Sequence, residues 1–267
     1  MATLPSRKSS AFERSAIQRA AVLLAVIFQI GATFLPAFGI GEEIGSRSDA
    51  TRTLVTPAGW AFAIWGPLFF GTALFAIYQA LPAQRRDELL HSIAWPATGA
   101  FVGNGLWAIY TQLHALTAIS VAIIVFALAC MLTIYRRLVA LKRDFIRDER
   151  WLVMLPLSAL AAWLTVATIV NIAATLTYYG VGAGQENALL AAIIVFAGGV
   201  IASIAIARGR GNPVYAGVFL WALCAIYAAG GQSATEVAYA VIISAVLVIV
   251  TTLFKLREVG NRRHWFG

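Results

Sequence analysis

Charge is scarce in this chain. Only 12% of its 267 residues are Asp, Glu, Lys or Arg, against 60% hydrophobic, and the mean hydropathy is +0.80. That leaves too little polar surface to coat a soluble globule of this length, so the medium for most of the chain is lipid. Cysteine is nearly absent as well. Cys130 and Cys224 each lie inside an apolar run, where a thiol packs as a small hydrophobe, and neither a disulfide, a haem-attachment pair nor a zinc site has support. His91, His114 and His264 stand at the ends of runs, without the spacing of two metal ligands on one helical face, and read as solvated or interfacial side chains. Carboxylates are missing where they would matter most. All twelve acidic residues, Glu13, Glu42, Glu43, Asp49, Asp87, Glu88, Asp144, Asp148, Glu149, Glu186, Glu236 and Glu258, lie outside the apolar runs or at their very ends. Proton-coupled carriers, pumps and intramembrane metal enzymes usually keep an ionisable group in the hydrocarbon because it binds the proton or ion, so its absence weighs against all three. Asp87 with Glu88 and Asp148 with Glu149 are interleaved with arginines and read as solvated loop charges, unlike the paired acids of a metal-dependent transferase. The net charge of +8 comes from short clusters between apolar runs, with no extended basic face, which argues against a nucleic-acid partner.

What is abundant is apolar sequence of membrane-spanning length. A hydrocarbon core about 30 Å thick takes about 20 apolar residues in a helix, because unpaired backbone amides cannot cross lipid. Eight such runs occur: Ala20 to Ile40, Trp60 to Leu81, Ile93 to Tyr110, Leu116 to Tyr135, Leu152 to Tyr178, Ala188 to Ala207, Val214 to Gly230 and Val237 to Phe254. The expected fold is therefore all-α, a polytopic membrane bundle of eight helices. The first run follows Arg7, Lys8, Arg14 and Arg19 but is too long for the apolar region of a cleaved signal peptide. Under eight crossings, Arg47 and Arg52 fall on one side and every other Lys and Arg of the 20 on the opposite side. Basic residues mark the cytoplasmic loops, so this asymmetry places both termini in the cytoplasm, and the basic inner loops suit a bacterial cytoplasmic membrane.

Uncharged polar chemistry remains inside the runs, and its pattern carries a resemblance. Pro57-Ala-Gly-Trp60-Ala-Phe-Ala-Ile-Trp65 enters the second run with a Pro-Gly turn and an aromatic stripe, Asn104-Gly-Leu-Trp107 lies on the third, and Trp163, Ala167 and Asn171 recur every four residues on the fifth. Together these resemble the TspO/MBR family, also called translocator proteins or tryptophan-rich sensory proteins, whose second, third and fifth helices carry P-x-G-[WY]-x-F-x-x-W, N-x-x-W and W-x-x-x-A-x-x-x-N. The resemblance implies a five-helix unit over 20–178, with 188–254 as a three-helix extension between basic tails at 1–19 and 255–267, as in the long divergent form of the family. Two departures stand out. The compact family has a Pro-Tyr four residues before the fifth-helix Trp, whereas Pro156 lies seven before Trp163 and is followed by Leu157. The family's sterol-recognition pattern at the end of helix five also fails, since no Lys or Arg follows Tyr178 and Tyr179. A loose match at Leu132-Thr-Ile-Tyr135-Arg136 ends helix four and is explained by an interfacial Tyr with snorkelling arginines.

Helical periodicity puts each polar set on one face and, under the expected topology, at one depth in the outer half of the membrane. The expected site is an aromatic pocket walled by Trp60, Trp65, Trp107 and Trp163, with Ala167 leaving room beside Asn104 and Asn171 as polar contacts. The competing reading makes the asparagines interhelical glue and the tryptophans members of interfacial belts, above all Trp60, Trp95 and Trp151 near the ends of runs. The resemblance implies a receptor or sensor for a tetrapyrrole or another hydrophobic small molecule, with no cofactor. An uncoupled transporter is the alternative, and an enzyme lacks a nucleophile, base or metal set. Gly99 and Gly103 form a G-x-x-x-G that serves packing within the bundle or, as the resemblance suggests, a homodimer contact.

Overall fold

A computed structural model describes residues 13–50, 52–181 and 187–267. Arg7 and Lys8 of the basic tail, and Glu186, lie outside the described residues. The described chain is helical, with no strand among those residues. Its helices are α1 (Ala16–Ala32), a short α2 (Ile44–Ala50), α3 (Gly59–Ala80), α4 (Glu88–Leu113), α5 (Ala118–Ala140), α6 (Arg147–Tyr178), α7 (Ala188–Arg208), α8 (Pro213–Gly231), α9 (Thr235–Leu256) and α10 (Val259–Phe266). A helix therefore stands at each of the eight apolar runs. Six of them, α3 and α5 to α9, are both long and apolar enough to cross a membrane. Among the other two, α1 has 17 residues and α4 has 26, and α4 is diluted by the polar residues that build the site described below.

The helix ends follow local chemistry that apolar runs do not report. The Ser15 side chain caps α1 by accepting from the Gln18 N–H, Asp87 caps α4 through Leu90 N–H at 2.7 Å, and Asn212 caps α8 through Val214 and Tyr215. The first run was expected to stay helical to Ile40. Instead α1 stops at Ala32, and Leu35–Phe38 forms a 3-10 turn that Pro36 opens and Gly39 closes at φ 77°. α3 likewise opens as a 3-10 turn over Gly59–Ile64, and π turns occur at Arg150–Met154 in α6 and Tyr227–Gly231 in α8.

In the bundle α4 packs between α1 and α5, α6 between α5 and α8, and α7 against α9, while α3 contacts α1 and α6. α6 is the central post, with a largely buried face from Pro156 to Thr168. Small residues set the close approaches. A Cβ on Gly103 would lie 3.0 Å from Ala127 Cβ, and one on Gly99 2.9 Å from Cys130 Sγ, so the G-x-x-x-G of α4 faces α5 within the chain and the dimer contact through these glycines is not available. Gly105 lets α1 approach on the other side, because a Cβ there would meet Gln29 Cα at 3.2 Å.

Basic loops gather at one end. Buried Arg14 donates to the Gln79 carbonyl at 2.9 Å and to Gln79 Oε1 at 2.7 Å, and burial lowers its pKa. Two expectations fail here. Glu149, taken as a solvated loop charge, is buried: it bridges Arg143 at 2.6 Å and accepts from Ile146 N–H, while this hydrogen-bonded pairing raises the Arg143 pKa. His264, taken as solvated or interfacial, is only 2% exposed. The tail that carries it is a short helix, α10, folded back under the bundle with Asn261, His264 and Trp265 buried, so that His264 Nε2 reaches the Leu138 carbonyl at 3.1 Å and Trp265 Nε1 donates to the Arg210 carbonyl at 3.1 Å. Because a carbonyl only accepts, Nε2 carries the proton and Nδ1 is free to accept from Arg210 at 3.2 Å. Burial first, and the Arg210 charge second, push the His264 pKa down to about 4.

Candidate functional site

The end opposite the basic loops holds a cavity of about 410 Å³ bounded by α3, α4 and the connection that leads from the end of α1 to α3. Trp65, Asn104 and Trp107 line it together with Phe62, Phe69, Ala108 and Gln112. A second cavity of about 40 Å³ lies behind Phe62, Trp65 and Trp107, and is lined by Trp163, Ala167 and Asn171. The structure thus brings six of the seven expected residues to two adjoining spaces. Trp60 lies apart: it is half exposed and meets the Trp221 ring edge-on at 4.8 Å, on the face toward α8. Trp95 and Trp151 are exposed, as interfacial rings would be.

The aromatic wall is mutually braced. Trp65 stacks on Phe69 with ring centres 5.1 Å apart, and the Trp163 ring stands edge-on to Trp65 at 6.0 Å and to Phe62 at 6.4 Å. Such contacts hold large rings in fixed planes. Neither the Trp65 nor the Trp163 indole N–H has a hydrogen-bond partner among the described residues, although both nitrogens are buried.

The two asparagines differ in chemistry. Asn171 Oδ1 accepts from Trp107 Nε1 at 2.8 Å, and its amide nitrogen donates to Ser120 Oγ at 2.9 Å and Thr175 Oγ1 at 3.3 Å. Since an indole only donates, the amide orientation is forced. Asn171 therefore ties α6 to α4 and α5, and its polar atoms are all engaged. Asn104 ends a polar relay whose direction is set at a backbone carbonyl. The Thr72 hydroxyl donates to Phe69 O at 3.1 Å, so it accepts from Gln29 Nε2 at 3.3 Å, and Gln29 Oε1 accepts from Asn104 Nδ2 at 3.1 Å. Asn104 Oδ1 is left buried without a partner. Gln112, two turns further along the same face of α4, repeats the pattern. Its nitrogen donates to Ala32 O at 2.8 Å and Ala108 O at 2.7 Å, leaving Oε1 without a partner. Buried polar atoms are paired in the great majority of cases, so two indole donors and two amide acceptors, all unpaired and all on residues that line adjoining spaces, are a concentrated exception.

Sequence reasoning overlooked Gln29 and Gln112. Their signal was present, since an amide inside an apolar run is unusual and Gln112 falls eight residues after Asn104. Nothing in the sequence pointed to the connection over 33–58, which covers the cavity with Thr33, Phe34, Pro36, Ala37, Ile44 and Gly45. Gly41, at φ 75°, seats this segment on the end of α4, where a Cβ would approach Gln112 O to 2.5 Å, and the Glu42 N–H donates to that carbonyl at 2.9 Å. Arg47 pairs with Glu42 at 3.3 Å near the mouth, and Glu43 adds a carboxylate there.

A family model described as TSPO-like protein matches residues 15–254. The chain belongs to the TSPO-like family. The match runs the length of this TSPO-like protein from α1 almost to the end of α9, and so includes the three helices after residue 188. No curated protein and no solved structure matches the chain. The family and the apolar helices make it an integral, multi-pass membrane protein, of a family associated in general with membrane sensing and binding.

Proposed function

We propose that this TSPO-like protein is a membrane receptor for a flat, hydrophobic small molecule carrying both hydrogen-bond donors and acceptors, taken into the cavity between α3, α4 and the connection that covers them. The observation that carries the reading is the set of unpaired buried atoms, Trp65 Nε1, Trp163 Nε1, Asn104 Oδ1 and Gln112 Oε1, on residues that line two adjoining spaces rich in aromatic and apolar side chains. Each costs about 1–3 kcal/mol unpaired, which a ligand with matching groups would recover. A volume of about 410 Å³ is within the range of drug-sized sites. A tetrapyrrole is the ligand the family resemblance suggests, and its full macrocycle would occupy the space behind Trp65 as well. In this reading Trp65, Trp107 and Trp163 wall the site, Asn104 and Gln112 are its acceptors, Ala167 leaves room at the second cavity, and Asn171 positions Trp107.

An uncoupled transporter needs a route onward from the cavity. Here the Thr72–Gln29–Asn104 relay, the Phe75–Phe101 ring pair at 6.1 Å and the Arg14–Gln79 clamp follow one another toward the basic end, which favours a receptor. The same reading places eight crossings in a bacterial cytoplasmic membrane, with both termini and the basic loops inside, supported by the clustering of the described basic loops at one end.

The test is a titration of detergent-solubilised protein with protoporphyrin, following tryptophan quenching. Saturable quenching is expected, with the affinity weakened at least fivefold by Trp65→Phe, which keeps an aromatic face but replaces the indole and its N–H with a smaller phenyl ring, and by Gln112→Leu. Trp151→Phe, at an exposed position remote from the cavity, leaves the affinity unchanged. Protein that shows no saturable response loses the tetrapyrrole assignment, and movement of the probe across sealed proteoliposomes restores the transporter.

A further inference from the structure

A larger space lies at the opposite end of the molecule. α5 leans on α4 and α6, and α7 leans on α9, so the two flank a crevice of about 650 Å³ bridged by Tyr135 Oη donating to Ala205 O at 3.4 Å. Its walls are Leu132, Val139, Ala140 and Ala205, and its rim is Arg136, Arg208 and Arg210. No carboxylate pairs with any of these three arginines among the described residues. Arg136 and Arg208 are exposed, as snorkelling side chains at a helix end would be. Arg210 is held in place. It is the positive-φ residue other than glycine among those described, at φ 52°, a conformation that disfavours a side chain. Its carbonyl is fixed by Trp265 and its guanidinium by the buried His264. α10 thus clamps a strained arginine at the mouth of an apolar crevice, and a strained residue that its surroundings over-determine points to a role.

We propose that this crevice binds an anionic phospholipid, its phosphate held by Arg136, Arg208 and Arg210 and its acyl chain lying along Leu132, Val139 and Ala205. The cationic rim at the level of the basic loops, an apolar wall open to the bilayer and the missing carboxylates together fit a lipid headgroup with net negative charge. Guanidinium groups suit it because their donors match phosphate oxygens in pairs. The site is remote from the aromatic cavity and independent of the ligand proposed there.

Native mass spectrometry of delipidated protein exposed to phosphatidylglycerol or phosphatidylcholine tests it. Phosphatidylglycerol adducts are expected to dominate. Arg208→Gln with Arg210→Gln should weaken them about thirtyfold, from about 1 kcal/mol per arginine near a membrane surface. Arg257→Gln with Arg262→Gln removes the same charge from the same end outside the crevice and should change little. Arg208→Gln alone, at an exposed position, keeps the fold and should still weaken binding severalfold. Equal retention of the two lipids, or equal loss in the Arg257, Arg262 control, overturns the proposal. Displacement of the lipid by soluble glycerol phosphate at equal concentration also overturns it, because the acyl chain would then contribute nothing.

Discussion

Replacing Asn171 and Asn104 in turn separates a residue that holds helices together from one proposed to meet a ligand. Asn171 makes three side-chain hydrogen bonds, to Trp107, Ser120 and Thr175, and its loss leaves the Trp107 N–H buried with nothing to donate to. Interhelical hydrogen bonds inside membranes contribute about 0.6 kcal/mol on average and up to about 1.7, and an orphaned buried donor costs about 1–3. Asn171→Leu is therefore expected to destabilise the bundle by about 2 kcal/mol. Asn104→Leu gives up a single bond, to Gln29 at 3.1 Å, and leaves the buried Gln29 Oε1 without a donor, but that penalty is offset by removal of the equally unpaired Asn104 Oδ1, so its net cost is expected near about 0.5 kcal/mol. The assay is reversible unfolding in mixed micelles by circular dichroism, with protoporphyrin quenching measured on the same preparations. A double-mutant cycle of Asn171→Leu with Trp107→Phe should return a coupling of about 0.6–1.7 kcal/mol. Affinity should fall at least fivefold in Asn104→Leu at nearly unchanged stability. Equal destabilisation by the two variants, or a coupling below about 0.3 kcal/mol, would refute this division of roles.

Gly105→Ala is expected to push α1 off α4, because the new Cβ would approach Phe28 Cε1 to 2.6 Å, and cysteine cross-linking between the two helices should slow. Gly103→Leu should lower the melting temperature of the monomer by wedging α4 from α5, and a change confined to oligomer size would contradict the packing seen here. Glu149→Gln should destabilise by about 1–3 kcal/mol, because it removes a charged acceptor serving both Arg143 and the Ile146 N–H. The His264 pKa lies below its ordinary value, so the stabilisation from docking the neutral ring is present above about pH 6.5 and is lost as pH falls toward about 4. Proteolysis of the C-terminal segment should speed up across that window, and His264→Gln should flatten the dependence.

The helices were legible because lipid imposes one dominant rule, satisfaction of every backbone amide inside an apolar run, and composition reports that directly. The ends were less so. α1 was read through to Ile40 because apolar residues continue past Ala32, whereas Pro36 and a left-handed Gly39 turn the chain, which hydropathy cannot register. Convergence of Trp65, Asn104, Trp107, Trp163 and Asn171 was legible from helical periodicity combined with alternating helix direction. The roles within that cluster were not, because they depend on which atom of each amide is already engaged. Asn104 and Asn171 look alike in the sequence and differ in the structure by a free carbonyl oxygen. Glu149 and His264 were misread for a related reason: both lie in charged segments, and hydropathy does not register the contacts that bury them, a local pairing with Arg143 for Glu149 and, for His264, the folding of its own helix α10 back against Leu138.

The helices after residue 188 have a physical role in the site that their apolar sequences do not announce. The segment that covers the aromatic cavity is held to the end of α4 by Gly41, Glu42 and Arg47. Its far end is held by α8. The Ala58 N–H donates to Ala225 O at 3.0 Å, Trp221 Nε1 donates to Ala61 O at 3.3 Å, and the Leu54 backbone lies where any side chain on Gly230 would stand. The π turn over Tyr227–Gly231 brings that glycine into place. Trp60, absent from the cavity, acts at this joint, edge-on to Trp221. The first turn of α3 carries Phe62 into the cavity wall and leads directly into Trp65. The α8 contacts thus set the position of one wall and of the cover together. A helix that contributes no residue to the cavity of about 410 Å³ therefore helps position its cover, and on the proposed function changes at the α8 face should alter the rate at which protoporphyrin enters and leaves without altering the groups that line the site.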